Sequence, residues 1–442
     1  MVAYRLRIVS KTRIVEIERI DEKGFGIARY GDRQIKIAYT LPGEKVKIRI
    51  PRYFKKPIRP LSIIEEAPER VRPLCPYFGM CGGCLWQHIR YDEQLKLKQD
   101  LIDRFFENIT SKTAIHEILR AERIWRYRNK MEFSFGKGLQ GIVLGLKVIG
   151  RFDKVVNLDT CLIQKEEGDK VLRVTREFAR KKKFIPYDNK KHEGFLRFLV
   201  VRTSFNAKNV MANIVTTSEQ TFPLREFSEK LNVTSLIWSV TDSLADVAIG
   251  DIKEIFGQNF IIEKLLGLEF KIYPYSFFQT NPIQAEKIFK IMKELSSEGT
   301  TALDLYSGVG VISLIIAEKF EKVIGIELSK DAIDAAYENA KLNDINNVEF
   351  IEGKVEDHLA KFSNMKIDTV YIDPPRAGMH KKAVETLIKM QPRYIMYMSC
   401  NPKTQARDIG QLVKAGYKVE LIQPIDFFPH TPHIENLVLL QK

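Results

Sequence analysis

From about residue 283 onward, apolar positions recur at helical spacing in long segments, and short apolar runs lie between them. Residues 302–306, 322–326, 369–372 and 394–398 are such runs, and they predict four parallel strands joined by helices. That order describes a doubly wound α/β domain with its ligands at the carboxyl ends of the strands. The N-terminal residues follow a different period. Residues 4–20 and 33–50 alternate apolar and charged, as in Val46, Ile48 and Ile50 between Lys45, Lys47 and Arg49. Gly24-Phe25-Gly26-Ile27-Ala28 and Leu41-Pro42-Gly43-Glu44 read as the intervening turns, so a small β-barrel is expected here. Between these regions lie a cysteine-bearing loop at 75–84 and a helical pattern from about Tyr91 to Asn108. A stretch from roughly 120 to 265 then alternates strands and turns around one helix near 165–182, as in a mixed α/β domain. The expected division is a barrel over 1–60, a central α/β domain over 61–265 and a Rossmann-like domain over 266–442.

Charge adds a partner to this outline. The chain of 442 residues carries a formal charge of +14, and residues 1–60 hold sixteen Lys or Arg against six Asp or Glu, a net of +10. So local a surplus favours a polyanion, because phosphate contacts release counterions; a Lys- and Glu-rich thermophilic surface is the alternative. Pro51 to Pro60, with Arg52, Lys55, Lys56 and Arg59, reads as a basic exit from the barrel. Met1 to Ser10 alternate instead of forming an apolar leader, and no apolar run reaches about 18 residues. The expectation is a cytoplasmic monomer with no membrane partner.

Candidate chemistry gathers at the predicted strand ends. Asp304, Tyr306, Ser307, Gly308 and Gly310 follow one strand and precede an apolar helix over 311–317, and Glu327 ends the next strand. Glycines there let the backbone approach a ligand, while Glu327 is placed for ribose hydroxyls. The full dinucleotide glycine pattern is absent, so S-adenosylmethionine is favoured over a nicotinamide cofactor. After the edge strand at Glu349-Phe350-Ile351, Glu356 or Asp357 is a candidate for the adenine, or else a helix cap. Asp373-Pro374-Pro375-Arg376 ends the third strand with a rigid turn. Ser399-Cys400-Asn401-Pro402 ends the fourth, where Cys400 is either a core thiol or a nucleophile opening into the same crevice. His433 and Glu435 follow the last strand pattern as candidate bases, with Glu435 preferred. Tyr275-Ser276-Phe277-Phe278-Gln279-Thr280-Asn281 offers Gln279 for a base edge and Phe277 or Phe278 for stacking. Cys75, Cys81 and Cys84, with Cys161 further on, suit an iron–sulfur cluster somewhat better than zinc, since only one close C-x2-C pair is present. Arg126-Tyr127-Arg128-Asn129-Lys130-Met131 either faces RNA or braces the scaffold with ion pairs.

Together these motifs resemble the RNA uracil-5 methyltransferases, and specifically their iron–sulfur-containing branch, similar in type to the archaeal tRNA (uracil-54-C5)-methyltransferases. The resemblance spans almost the whole chain. It implies a TRAM-type RNA-binding barrel at residues 1–60 and a [4Fe–4S] cluster on Cys75, Cys81, Cys84 and Cys161. It also implies that Cys400 attacks carbon 6 of a uracil and that Glu435 removes the carbon 5 proton. Phe277, Gln279, Asp373, Arg376 and His433 are expected at the base. Gln279, Asp304, Tyr306, Ser307, Gly308, Gly310, Glu327, Asp357 and Asp373 are expected around S-adenosyl-L-methionine. The expected substrate is transfer RNA at uridine 54. The same chemistry on 23S ribosomal RNA, or a silent RNA-binding protein, are the alternatives.

Overall fold

The computed structural model describes residues 12–51, 53–54, 56–111, 114–139 and 141–442. Residues 4–11 of the first expected strand, and Arg52 and Lys55 of the basic exit, lie outside the described residues. The chain divides into two compact units, one of Met1–Leu101 with Pro429–Pro432, the other of Ile102–Phe428 with His433–Lys442. The helix Tyr91–Phe106 is shared between them.

In the first unit, two three-stranded antiparallel sheets form the barrel. One holds Thr12–Glu16, Lys45–Arg49 and Ser62–Glu65, and the other Arg19–Ile20, Gly26–Tyr30 and Arg33–Ile37. The period-two pattern decides the faces: Val46 and Ile48 are fully buried while Lys47 and Arg49 are exposed. Val15, Ile17, Ala28, Ile35 and Ile37 complete that core. The expected glycine turn is shorter than its sequence suggested. Gly24 alone turns, at φ +83°, and Gly26 opens a strand, since a Cβ there would lie 2.2 Å from Thr40 Oγ1. Glu44 is fully buried and is satisfied by the Arg70 guanidinium and the Leu41 amide at 2.9 Å. Further along, the His430 carbonyl accepts from the amides of Leu85 and Trp86 at 3.0 and 2.9 Å, and the His430 amide donates to Gln94 Oε1 at 2.8 Å.

The second unit contains two seven-stranded sheets. The first runs Asp251–Gly257, Ser235–Val240, Val210–Thr216, Leu196–Thr203, Lys130–Gly138, Gly141–Lys147, Val155–Asn157, with the helix Glu166–Lys181 against it. In the second the order is Val348–Glu352, Phe320–Glu327, Gly299–Leu305, Thr369–Ile372, Tyr394–Ser399, Glu435–Gln441, Lys418–Ile425. All its strands run parallel except Glu435–Gln441, which is antiparallel to both of its neighbours. Thr369–Ile372 is buried throughout, as a strand covered on both faces must be. The helix Pro282–Leu295 starts where Asn281 accepts from the Gln284 amide at 3.3 Å and Pro282 occupies the first turn. Its Ala285, Ile288, Phe289 and Met292, at helical spacing, enter the main core. Among the described residues, no helix is long and apolar enough to cross a membrane.

Strand order reverses between Gly299–Leu305 and Thr369–Ile372, and that is where the doubly wound fold opens a crevice. Register then sets the neighbours. Leu305 pairs with Ile372 and Ile372 with Tyr397, so the segments beginning at Tyr306, Asp373 and Cys400 leave the same edge of the sheet. Ser399 pairs with Asn436 across the antiparallel ladder, which brings Glu435 beside Cys400.

Candidate active site

The loop after Gly299–Leu305 is built to admit a ligand. Tyr306, Gly308 and Gly310 adopt φ of +65°, +54° and +83°. A Cβ on Gly308 would meet nothing within 4 Å, so its backbone stays open, whereas one on Gly310 would press Phe350 at 3.0 Å. Glu327 braces the loop: its carboxylate accepts from the Gly308 amide at 3.0 Å and the Ser329 amide at 2.9 Å. Asp304 is fully buried, with Oδ2 accepting from the Ser313 amide and hydroxyl at 3.0 and 2.6 Å. Asp304 Oδ1 and Ser307 Oγ are buried without a hydrogen-bond partner among the described residues. Orphaned acceptors beside an open glycine backbone fit a polar ligand that carries donors, such as an amino acid–nucleoside.

Burial pushes the Asp304 carboxyl up to about 7, while the Ser313 hydrogen bonds oppose the rise. In an unfolded chain Asp ionises near pH 4, at about 3.9. Between the two values the folded state holds the extra proton, so this group's stabilising contribution is full at acid pH and is lost as pH rises through about 7. Asp304→Asn is therefore expected to flatten the fall of stability between about pH 4 and 7, as read from urea midpoints across that range. An unchanged slope contradicts the assignment.

Four further segments meet at the neighbouring strand ends. Gln279 Nε2 lies 3.5 Å from Asp373 Oδ2. Asn129 fixes the Gln279 segment, its Nδ2 donating to the Gln279 carbonyl at 3.2 Å and its amide to the Thr280 carbonyl at 3.0 Å. The buried Arg202 guanidinium holds the same segment through the carbonyls of Pro274, at 3.3 Å, and Ser276. Phe278 is buried at 3% exposure, whereas Phe277 stands out at 68%. One Arg376 nitrogen lies 3.1 Å from His433 Nδ1, and His433 packs edge-on against Phe428 at 6.1 Å.

Cys400 faces this crevice half-buried. Burial, followed by the charges of Glu435 and Asp373, pushes its thiol up to about 12, and Arg376 opposes them. Glu435 is buried at 2% exposure. Burial and the charge of Asp373 raise its carboxyl well above the usual range, again opposed by Arg376. Burial and Asp304 raise Asp373 as well. A thiol, two carboxyls of raised pKa and one guanidinium thus lie within mutual electrostatic reach, an arrangement chemically able to move protons.

Comparison with known proteins fixes what this crevice belongs to. Residues 251–442 match the family model described as tRNA (uracil-5-)-methyltransferase, and residues 14–68 match the tRNA (uracil(54)-C(5))-methyltransferase TRAM domain. An RNA methyltransferase of Caldanaerobacter subterraneus is 39% identical over 97% of this chain and 98% of its own. One of Nanoarchaeum equitans is 38% identical, covering 97% and 93%. The tRNA (uracil-54, C5)-methyltransferase of Pyrococcus abyssi, solved with S-adenosyl-L-homocysteine, superposes with a TM-score of 0.82 at 30% identity, over 97% of this chain and all of that one. The chain belongs to the tRNA (uracil-5-)-methyltransferase family. It is an S-adenosylmethionine-dependent RNA methyltransferase with an N-terminal TRAM domain.

Not every expected residue of this methyltransferase converges on the crevice. Asp357 is exposed and pairs with Lys382 at 3.2 Å, while Glu356 is the member of that pair whose charge reaches Tyr306. Arg126 faces the scaffold, donating to Asp169 Oδ2 at 2.7 Å and to the Cys161 and Gln164 carbonyls at 2.9 and 2.8 Å. In the cysteine loop, the Cys75 amide donates to Gln87 Oε1 at 3.2 Å, and Gly79 turns at φ +77°. Burial raises the thiols of Cys75 and Cys81, and Cys75 adds to the rise at Cys81, so these two are neighbours. None of the five cysteines is in a disulfide. Cys75, Cys81 and Cys84 belong to the first unit and Cys161 to the second. Among the described residues, no three His, Cys, Asp or Glu side chains form a group that could hold a metal ion. Sequence reading missed Arg202 and Asn129 as supports for Gln279. Periodicity carries no signal for such contacts, because they are tertiary and reach backbone carbonyls of the irregular segment before the helix Pro282–Leu295.

Proposed function

We propose that this methyltransferase moves the methyl group of S-adenosyl-L-methionine to carbon 5 of uridine 54 in transfer RNA through a covalent Cys400–uracil adduct. The observation that carries the reading is the strand register that sets Cys400 beside Glu435, with Asp373 and Arg376 in electrostatic reach of both. Carbon 5 of uracil is too weak a nucleophile to take a sulfonium methyl directly. Addition of the Cys400 thiolate to carbon 6 turns the ring into an enolate, and carbon 5 then takes the methyl as S-adenosyl-L-homocysteine is released. Glu435 removes the carbon 5 proton, the carbon 5–carbon 6 double bond re-forms and the thiolate leaves. A carboxylate of raised pKa is the better base for that step. The resting thiol is protonated at neutral pH; its proton is lost to solvent before attack, and Arg376 with the positively charged donor stabilises the thiolate that forms. Gln279 and Asp373 are assigned to the uracil edge and the donor, and Phe277 to stacking on the displaced base.

Transfer RNA as substrate is supported by the TRAM-domain match and the Pyrococcus abyssi structure. Functionally, residues 1–60 are read as the RNA-holding barrel, 61–265 as the central domain and 266–442 as the transferase. The test is methylation of unmodified transfer RNA and 23S ribosomal RNA transcripts with labelled donor, followed by mapping of the product. Label at uridine 54 of transfer RNA is expected; label confined to ribosomal RNA overturns the target, and no 5-methyluridine in either overturns the reaction.

Phe277→Ala is expected to leave stability nearly unchanged and to weaken RNA binding by the equivalent of about 1–3 kcal/mol, the usual contribution of one stacked base. Phe278→Ala is expected to destabilise the fold by about 3–5 kcal/mol through the cavity it leaves. Urea unfolding and RNA titration separate the two, and a reversed pattern contradicts the assignment.

Cys75, Cys81, Cys84 and Cys161 are proposed as ligands of a [4Fe–4S] cluster with a structural role. The reading rests on the C-x5-C-x2-C spacing of Cys75, Cys81 and Cys84 and on the mutual proximity of Cys75 and Cys81. Anaerobically purified protein is expected to contain iron and acid-labile sulfide that Cys81→Ser loses. Fully active wild-type protein free of both rejects the cluster.

A further inference from the structure

The helix Pro402–Lys414 begins directly after the nucleophile, and the face nearest its start grips the neighbouring Asp373–Arg376 turn. Asn401 Nδ2 and Thr404 Oγ1 both donate to the Arg376 carbonyl, at 2.8 and 3.3 Å. A guanidinium nitrogen of Arg407 donates to the Ala377 carbonyl at 3.1 Å. Asp408 Oδ2 accepts from the Met379 amide at 2.9 Å and from the Tyr397 hydroxyl, also at 2.9 Å. Asp408 is 1% exposed, and Arg407 Nε satisfies its other oxygen at 2.8 Å. Gly378 lets the turn lie this close: a Cβ there would stand 2.6 Å from Asp408 Oδ2, and its φ is +80°. Positions 401, 404 and 408 share one face at helical spacing; the first two address the Arg376 carbonyl and the third the Met379 amide.

We propose that Asn401, Thr404, Arg407 and Asp408 are positioning residues that fix Arg376 relative to Cys400. They touch neither base nor donor in this scheme. They hold the Arg376 backbone at the base of a side chain whose guanidinium lies 3.1 Å from His433 Nδ1 and in electrostatic reach of the thiol and Glu435. Tyr397 lies on the strand that delivers Cys400, so Asp408 ties the nucleophile's strand and the arginine's turn into one rigid piece. The proposal rests on the reading of Cys400 as nucleophile and Arg376 as its counter-charge.

The test is the reactivity of Cys400 towards a methanethiosulfonate reagent, followed by mass spectrometry of the Cys400 peptide in the full chain. The charged groups facing the thiol are Glu435, Asp373 and Arg376. Losing a nearby cation raises a thiol by about one unit or more. Per unit, the thiolate becomes about tenfold scarcer and about threefold more nucleophilic, which slows reaction about threefold. Arg376→Ala, Asn401→Ala and Thr404→Val are each expected to slow modification about threefold to tenfold, with S-adenosyl-L-homocysteine affinity within about twofold of wild type. The decisive result is the pair of double variants. If the clamp acts through Arg376, Asn401→Ala or Thr404→Val adds nothing in the Arg376→Ala background. Slowdowns that multiply, or single clamp variants that react at the wild-type rate, overturn the proposal. Should Asn401→Ala fail to fold, Thr404→Val removes one hydroxyl at nearly constant shape and carries the same cycle. No methyl transfer enters this readout, so failure of the covalent mechanism would appear separately, as retained methylation by a Cys400 variant.

Discussion

Cys400→Ala is expected to lower methyl transfer to RNA by more than about 10⁴-fold while leaving S-adenosyl-L-homocysteine binding within about twofold. The size follows from the chemistry: with no thiolate to add at carbon 6 there is no enolate, and removing a nucleophile forfeits nearly all of the catalysis that depends on it. Donor binding is expected to survive because Asp304, Gly308 and Glu327, the residues expected around the donor, sit at other strand ends, and the hydrogen bonds that hold them do not involve the thiol. Substantial turnover by this variant rejects the covalent route.

Glu435→Gln is expected to trap that route in the middle. Glutamine keeps the shape and cannot accept the carbon 5 proton, so the methylated adduct does not resolve and turnover falls by about 10²–10⁴-fold. Formation of the adduct is expected to become easier, because Glu435 is the first of the charges that hold the Cys400 thiol up. A band of slow mobility on a denaturing gel, containing both protein and RNA and one methyl equivalent, is the expected product. Without such a band, Glu435 is not the sole base. The neighbouring candidate, His433, is engaged with Arg376 and Phe428, which is one reason to prefer Glu435.

Sequence and structure agree best where a pattern is local. The four parallel strands fall where apolar runs place them, because strands covered on both faces must be apolar throughout. The expected helix near 165–182 appears as Glu166–Lys181, and the one from about Tyr91 to Asn108 as Tyr91–Phe106. The barrel glycines were less legible. Gly24 and Gly26 look alike in sequence, yet one turns the chain and the other makes room for Thr40. A glycine chosen for close packing and one chosen for positive φ leave the same letter.

The active-site motifs were legible as single letters, but their mutual geometry was not. Nothing in the spacing of Cys400 and Glu435 says that an antiparallel ladder will pair Ser399 with Asn436 and so join them. Phe277 and Phe278 were indistinguishable until burial separated them. Asp357 and Glu356 were likewise equivalent in sequence, and the structure pairs Asp357 with Lys382 at 3.2 Å. The Asn401, Thr404 and Asp408 contacts are tertiary, made to backbone groups that any sequence would present. Arg126 looked like an RNA contact because it is cationic, but its donors are already used by Asp169 and the carbonyls around Cys161.

The central claim is that carbon 5 of a transfer-RNA uridine exchanges its hydrogen for the donor's methyl through Cys400 and Glu435. Tritium release measures this most directly. A transfer RNA transcript made with [5-³H]uridine is incubated with the protein and S-adenosyl-L-methionine, and tritium in water is counted against methyl groups in RNA. One tritium released for each methyl incorporated is the predicted result, with release lost in both Cys400→Ala and Glu435→Gln. Methyl incorporation without tritium release would contradict it, because the methyl group would then sit on some atom other than carbon 5.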